Sequence, residues 1–193
     1  MPNFQIVNIL DMMESIGEDE LKKQLSGFSC PLNAEIEHFV RVNAIEFSKS
    51  KSSITYLVVN GDDSHIVGIF CLAHKAIEIS CSGLSKTIQK KMLRFSELSD
   101  EDQSYNISAF LIAQLGKNYQ FGEPVISGDE LMDLSVEVLE NVQKQIGGCV
   151  IYLECEDKQK LLKFYQSGKN LFNIFDKRTA KDGTVYLQLY KWL

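Results

Sequence analysis

The stretch Cys149–Phe172 carries carboxylate and phenol side chains at positions from which they could transfer protons. Its first half reads as a β-strand, and Glu154 is a charge on that largely apolar strand, near its carboxyl end. Ligands of open α/β sheets bind at such ends, so Glu154 is a candidate general base that would act through water. Burial among apolar residues would raise its pKa unless a nearby lysine offset the effect. The alternative is a structural glutamate that pairs with a lysine or a backbone N–H.

A helical pattern follows at Lys158–Ser167, with Tyr165 near its end and Gly168 just beyond it. A phenol has a pKa near 10, so it can donate a proton to a leaving group. Taken from the residues alone, Tyr165 is more typical of a core aromatic whose hydroxyl reaches water. Glu156 and Asp157 suit the start of this helix, where negative charge is favourable.

A second candidate site lies at the start of the longest predicted helix, after the glycine-containing loop Gly116–Gly128. A helix N-terminus has unpaired N–H groups and the positive end of a dipole, so it can hold a phosphate. Gly128 would let the backbone approach such an anion closely. The same helix start also reads Ser127-x-x-Glu130, a capping box that would occupy those donors with side chains.

The sequence offers no support for other common site chemistries. His38, His65 and His74 show no metal-ligand spacing, so we expect no metal site. No nucleophile elbow, Walker-type loop or Rossmann fingerprint is present. The five cysteines are odd in number and lack paired spacing, which argues against a disulfide framework and fits a reducing cytoplasm.

The charge balance limits the partners that the surface can bind. The chain has 193 residues with 20 Lys and Arg against 26 Asp and Glu, which argues against a broad phosphate-binding surface. Ser48–Ser53 and Ser85–Arg94 concentrate positive charge locally, either as solvated surface or as binding patches. No apolar run approaches the roughly 18–20 residues that span a bilayer, and the start, "MPNFQIVNILDMMES", lacks the basic segment of a signal peptide. We therefore expect a cytoplasmic protein without a membrane partner.

The positions of turns and apolar repeats predict alternating strands and helices. The predicted strands are Phe4–Leu10, Ser53–Val59, His65–His74, Asn106–Leu115, Cys149–Cys155, Leu171–Lys177 and Thr184–Trp192. The predicted helices are Asp19–Leu25, one capped by Asn33, one with an apolar stripe Leu131, Leu134, Val138, Val142 and Ile146, and Lys158–Ser167. Ala76–Asp102 is ambiguous. The order predicts an α/β fold in one domain, residues 1–193, with a mixed sheet of about six to seven strands and helices on both faces. The unit Asn106–Cys155 should be a right-handed parallel crossover.

Two groups of motifs resemble the GNAT family of acyl-CoA-dependent N-acyltransferases, and the likeness covers most of the chain. "FYQSGKNLF" resembles the family's "FYEKxGF" signature, with Tyr165 at its tyrosine. "FSCPLNAEIEHFVRVNAIEF", followed by "TYLVV" and "IVGIFCLAH", resembles the "FxCG…LDxFL…A" and "VGYxxLA" pattern of GNAT-type toxins and their stand-alone relatives. The resemblance implies the GNAT fold.

The resemblance also implies an active site, from which the sequence departs at one motif. The family's cofactor motif is Arg/Gln-x-x-Gly-x-Gly/Ala; with Gly128 at its last position, Glu123 and Ile126 stand at the first and middle positions. By resemblance acetyl-CoA is the cosubstrate, and Tyr165 protonates the leaving thiolate after direct attack by an amine. The implied cofactor-binding residues are Leu115, Lys117, Asn118, Ser127, Gly128 and Asp129.

Three functions fit these features. The first is an acyl-CoA-dependent N-acyltransferase that uses acetyl-CoA and a small-molecule or macromolecular amine. The second is a GNAT-fold protein without catalysis that acts as an interaction module, which the incomplete phosphate motif favours. The third is a toxin that acetylates aminoacyl-tRNA, which the front-half likeness favours and the acidic balance disfavours. Nucleic acid is expected only in that last form, and a homodimer is compatible with all three.

Overall fold

The computed structural model describes residues 3–193. Met1 and Pro2, at the head of the segment used to argue against a signal peptide, lie outside the described residues. The strands are β1 (Phe4–Asn8), β2 (Ile54–Asn60), β3 (Ile66–Ser80), β4 (Ser104–Lys117), β5 (Val150–Glu156), β6 (Asn173–Thr179) and β7 (Val185–Trp192). They hydrogen-bond in the order β1-β2-β3-β4-β5-β7-β6. Both parallel and antiparallel pairs occur, so the predicted mixed sheet is confirmed.

Helices connect these strands at most of the predicted places. They are α1 (Ile9–Ile16), α2 (Glu18–Ser26), α3 (Ala34–His38), α4 (Ala44–Lys49), α5 (Lys86–Met92), α6 (Gly128–Ile146) and α7 (Gln159–Tyr165), with a π-helical turn Phe39–Asn43 between α3 and α4. Within residues 3–193, no helix has the length and apolar character needed to cross a bilayer.

The chain divides into two compact units. The first unit contains the residues up to Ala73 together with Ile112–Asn141, and the second contains His74–Leu111 and Val142–Leu193. Each unit has its own cluster of buried apolar side chains.

In the first unit, β2 and β3 form the predicted antiparallel hairpin, and β1 pairs antiparallel with β2. The predicted first strand, Phe4–Leu10, is too long, because it ends at Asn8. The Asn8 side chain accepts a hydrogen bond from the Leu10 N–H at 2.9 Å and so starts α1. Asparagine is among the preferred N-cap residues, and this cap outweighs the strand propensity of the apolar residues beside it.

The predicted N-cap at Asn33 is confirmed. Its side-chain oxygen accepts hydrogen bonds from the N–H groups of Glu35 and Ile36, at 3.0 and 3.2 Å. The helical segment that it starts contributes Ile36, Phe39 and Val40 to the core of the first unit.

The buried face of α6 differs from the predicted stripe. Its buried residues are Leu131, Met132, Ser135 and Leu139, whereas Ile146 is 71% exposed. Ser135 lies in the buried face because its hydroxyl donates to the Met132 carbonyl of the same helix at 2.7 Å. A serine satisfied in this way can be buried without an unpaired polar group, which a pattern based on apolar residue types does not detect.

In the second unit, β5 pairs parallel with β4 at Phe110↔Ile151 and Leu111↔Tyr152, so the predicted parallel pairing is confirmed. β7 pairs antiparallel with both β5 and β6 and therefore lies between them. The ambiguous region Ala76–Asp102 consists of the end of β3, then α5, then turns. Met92 of α5 is fully buried and anchors that helix to the core of this unit.

Candidate functional site

Tyr165 is the last residue of α7, at the place that the sequence pattern predicts. Its ring packs edge-on against Phe164 and Phe172, with ring centres 4.9 and 5.9 Å apart. Burial, with a smaller contribution from the Cys155 thiol, raises the pKa of the Tyr165 hydroxyl above its usual value. Within residues 3–193 the hydroxyl has no hydrogen-bond partner. The side chain is therefore a protonated phenol in a fixed position, which can donate a proton.

The segment after α7 is fixed by a residue that the sequence argument missed. Asn170 is 1% exposed, and its side-chain amide donates to the Phe164 carbonyl at 2.9 Å. Its own N–H donates to the Ser167 hydroxyl at 3.1 Å, and the Phe172 N–H donates to the Tyr165 carbonyl at 3.0 Å. These bonds hold the carboxyl end of α7 and thereby the position of Tyr165. The sequence carries one signal for this role. An asparagine stands two positions after Gly168, in a turn, where asparagine side chains hydrogen-bond to the backbone.

Glu154 has three side-chain partners. Tyr152 and Gln188 both donate to its Oε1, the latter at 2.9 Å. Arg178 Nε donates to its Oε2 at 2.6 Å, and a second guanidinium nitrogen lies 2.5 Å from the same oxygen. Burial alone would raise the pKa of Glu154, but these hydrogen bonds outweigh it and lower the pKa to about 2. The predicted increase is therefore wrong, because Arg178 stabilises the charged form.

A carboxylate with so low a pKa is a weak proton acceptor. The arrangement thus favours the ion-paired alternative for Glu154 over the general base. Strand alternation also places Glu154 and Cys155 on opposite faces of β5. Since Cys155 is the thiol that lies near Tyr165, the structure does not bring the two candidate catalytic residues together.

A cavity of about 380 Å³ lies beside the Glu154 cluster in the second unit. Its lining includes Lys75, Glu78, Tyr152, Asp176 and Gln188. The Lys75 ammonium lies 5.3 Å from the centre of the Tyr152 ring. Charged groups of both signs around an aromatic ring suit a polar ligand rather than an apolar one.

In the first unit, the start of α6 has the capping box that the sequence permits. The Glu130 N–H donates to the Ser127 hydroxyl at 3.1 Å, and the Ser127 N–H donates to the Glu130 carboxylate at 2.8 Å. Two of the donors that a phosphate would use are thus occupied by side chains. Gly128 is the first helical residue, half-buried, and Asp129 follows it. Of the cofactor-binding residues implied at the start of α6, Ser127 is a helix cap. Gly128 remains the residue whose backbone could lie close to a phosphate.

The end of β4 positions the other implied cofactor residues. Leu115 and Lys117 are half-buried, and the Lys117 ammonium lies 5.6 Å from the centre of the Tyr119 ring. Gly116 lies between them, with its carbonyl 3.2 Å from where a Cβ on Gly68 would be. A side chain on Gly68 would therefore be crowded, and the Gly116 backbone would have to shift by a few tenths of an ångström to admit it.

Asn118 ties this end of β4 to its neighbours. Its side-chain oxygen accepts from the N–H groups of Ser29 and Gln120 at 2.9 and 3.0 Å, and its amide donates to the Ile66 carbonyl at 2.7 Å. The side chain is 5% exposed and its groups are engaged. For Asn118, these contacts favour a positioning role over the direct contact with the cofactor that the resemblance implies.

We expect Asn118→Ala to lower the free energy of unfolding by about 2 kcal/mol, because buried hydrogen-bonding groups would lose their partner. Urea denaturation of both proteins measures the difference. Asn106→Ala, at an exposed position on β4, is the control and should stay within about 0.5 kcal/mol of wild type. Equal midpoints for the two variants would show that water replaces the Asn118 side chain without loss.

The loop between β4 and α6 lies against the β2–β3 hairpin. The Phe121 ring stacks on His65 with centres 4.1 Å apart, next to a small cavity of about 70 Å³. No group of three or more His, Cys, Asp or Glu within residues 3–193 is arranged to hold a metal ion.

Comparisons with known proteins give a likeness in structure. No protein-family model matches the chain, and no curated protein matches it. The chain is similar to AtaT complexed with acetyl-methionyl-tRNAfMet, at 15% identity and a TM-score of 0.65, over 96% of this chain and 94% of that one. A tyrosine-to-phenylalanine mutant of KacT is 17% identical with a TM-score of 0.65, over 98% and 94%. AtaTR bound with acetyl-CoA is 15% identical with a TM-score of 0.64, over 98% and 94%. These likenesses establish that the chain has the GNAT fold.

Proposed function

We propose that this protein is an acetyl-CoA-dependent N-acetyltransferase whose acceptor is the α-amino group of an aminoacyl-tRNA. The observation that carries the proposal is the place of Tyr165 at the end of α7, where its hydroxyl has no hydrogen-bond partner among residues 3–193. A GNAT reaction needs a proton donor for the leaving thiolate, and the family signature predicts this position for it. Structural neighbours solved with acetyl-CoA and with acetylated methionyl-tRNA support the choice of donor and acceptor.

The reaction transfers one acetyl group and one proton. The acceptor nitrogen forms a bond with the thioester carbonyl carbon, and the carbon–sulfur bond breaks. The Tyr165 hydroxyl gives its proton to the departing sulfur, and the tyrosinate is then reprotonated by the proton that the amine nitrogen releases. Because burial raises the pKa of Tyr165, the phenol keeps its proton across the physiological range.

The choice of acceptor class is supported by the weakness of Glu154, the candidate base. No Asp or Glu occurs from Gln103 to Gly122, and the pKa of Glu154 is about 2. An α-amino group has a pKa of about 7.7–8.0, so roughly a tenth of it is neutral at pH 7. A lysine side chain, with a pKa of about 10.4, is neutral in only a few parts in ten thousand. The site therefore suits an α-amine, which needs little help to lose its proton.

Acetyl-CoA binding is the first test. At about 100 times its dissociation constant, a ligand stabilises the folded state by about 2.7 kcal/mol, which raises Tm by several degrees. We expect that increase with millimolar acetyl-CoA, and we expect Gly128→Asp to remove it. Asp is favourable in the first turn of a helix, so the variant should fold normally while its charge repels the pyrophosphate. Ser85→Asp, which adds the same charge at the start of α5, should bind acetyl-CoA normally.

A second function has one specific observation in its favour. The capping box of Ser127 and Glu130 occupies donors at the start of α6, and Glu123 stands where the family has Arg or Gln. This pattern suits a GNAT-fold interaction module without catalysis. Unchanged melting with acetyl-CoA, together with a calorimetric titration that releases no heat, would favour this module over the enzyme.

A further inference from the structure

The basic segment noted in the sequence lies on α5 and the turn that follows it. Lys86 and Lys90 are one helical turn apart, and Arg94 follows at the same spacing; all three side chains are exposed. In this row of cations, Lys86 and Lys90 are therefore separated by about 6 Å along the helix axis, and Arg94 lies in the turn that follows the helix. Within residues 3–193, none of the three has an acidic partner. The opposite side of α5 is held in the core through Met92, so the row faces outward.

Aromatic rings adjoin this row. Phe95 is 50% exposed, with its ring centre 6.2 Å from that of Trp192. The Lys91 ammonium lies 3.8 Å from the centre of the Trp192 ring and fixes that side chain by a cation–π contact. Phe95 thus offers a ring face beside a row of unpaired cations, and single-stranded nucleic acids bind to surfaces of this composition by stacking and phosphate contact.

Acidic residues bound the surface on one side. Glu97 and Asp100–Asp102 lie in the turn after Phe95. They would repel a phosphate chain, so a polyanion on this surface must run along α5 and away from that turn. The net charge of −6 therefore does not describe this part of the molecule.

We propose that the outer surface of α5 and of the turn after it, formed by Lys86, Lys90, Arg94 and Phe95, binds the sugar–phosphate backbone of RNA, with Phe95 stacking on an unpaired base. The choice of RNA rests on the proposed function, which requires a tRNA acceptor. The cations would supply affinity and the ring would favour unpaired nucleotides. This surface would let an acidic protein hold a polyanionic substrate.

The test measures binding of fluorescently labelled, deacylated tRNA by anisotropy, without acetyl-CoA. We expect the triple variant Lys86→Gln, Lys90→Gln, Arg94→Gln to weaken binding on the order of 10- to 100-fold at 0.1 M salt. The slope of log affinity against log salt should become shallower by about 2. Lys22→Gln, Lys23→Gln, Lys49→Gln is the control; it removes the same charge from lysines already in ion pairs and should bind like wild type.

Phe95→Ala separates stacking from charge. It should weaken binding on the order of tenfold while leaving the salt slope unchanged. Equal losses in the α5 and control triple variants would overturn the proposal, because net charge alone would then explain binding. Wild-type affinity for tRNA in the α5 triple variant would also overturn the proposal, even if that variant bound phosphatidylserine vesicles less tightly than the wild type.

The two proposals can fail separately. If the protein does not acetylate methionyl-tRNA but binds tRNA through α5, the surface stands without the enzyme. If the protein acetylates methionyl-tRNA and the α5 variant keeps wild-type affinity for tRNA, the proposed enzyme activity is supported and the proposed RNA-binding surface is wrong.

Discussion

Replacing Tyr165 by phenylalanine is expected to slow acetyl transfer by about 10²–10⁴-fold, the usual contribution of a general acid. The ring contacts with Phe164 and Phe172 involve no hydroxyl, so the variant should keep its fold and its acetyl-CoA affinity. Single-turnover rates with methionyl-tRNA measure acetyl transfer. Melting curves without and with acetyl-CoA measure the stability of the fold and the binding of acetyl-CoA. The ratio of the wild-type rate to the Tyr165→Phe rate should stay constant from about pH 6 to 9, because the pKa of Tyr165 is raised above its usual value of about 10.

Tyr56→Phe is the matched control for this experiment. Tyr56 also stacks on an aromatic ring, that of Phe70 at 5.2 Å, and burial also raises its pKa. The Tyr56→Phe variant should transfer acetyl groups at the wild-type rate. A Tyr165→Phe enzyme that works as fast as this control would show that Tyr165 is a packing residue and that the thiolate leaves without a protein proton donor.

Glu154→Gln is expected to cost about 3 kcal/mol of stability near neutral pH and to remove part of the acid sensitivity of the fold. Glu154 has a pKa of about 2 in the folded protein against an ordinary value of 4.5, and each pKa unit corresponds to about 1.36 kcal/mol. A lowered folded-state pKa gives stability that is fully present above about pH 4.5 and is lost as pH falls towards 2. Glutamine keeps the shape but cannot form the ion pair with Arg178.

Urea unfolding of both proteins at pH 7, 4 and 2 measures this effect. The difference in unfolding free energy should be largest at pH 7 and close to zero at pH 2. A difference that did not change with pH would mean that Glu154 acts through packing and not through its charge. We also expect parallel pH–rate profiles for the two proteins. A Glu154→Gln loss confined to pH below neutral would restore Glu154 as the base.

The local part of the fold could be predicted from sequence, because its signals lie within a few residues of one another. The Asn33 cap and the β2–β3 hairpin are set by neighbouring residues, and both were predicted correctly. The boundary at Asn8 was missed because a side-chain cap competed with strand propensity. The buried face of α6 was predicted only in part: Leu131 is buried as expected, but a pattern of apolar residues does not detect Ser135, which satisfies its own hydroxyl within the helix.

The site was predicted less completely because its chemistry depends on residues that are distant in sequence. Tyr165 could be placed from its short motif. The charge state of Glu154 depends on Arg178 and Gln188, which are 24 and 34 residues away, and no spacing rule connects them. Likewise Asn118 meets Ser29 across 89 residues. Such partners are decided by the register of the folded sheet.

The place of β7 between β5 and β6 has a consequence for synthesis of the chain. β7 is translated after both of its neighbours, yet it supplies the edge on which each of them pairs. Until β7 leaves the ribosome, β6 has no strand to join, and Arg178 on β6 cannot be fixed beside Glu154 on β5. Pairing between distant strands is slow because loop-closure entropy must be overcome first. An interrupted translation product that stops before β7 therefore lacks the strand that joins β5 to β6, and its second unit is incomplete.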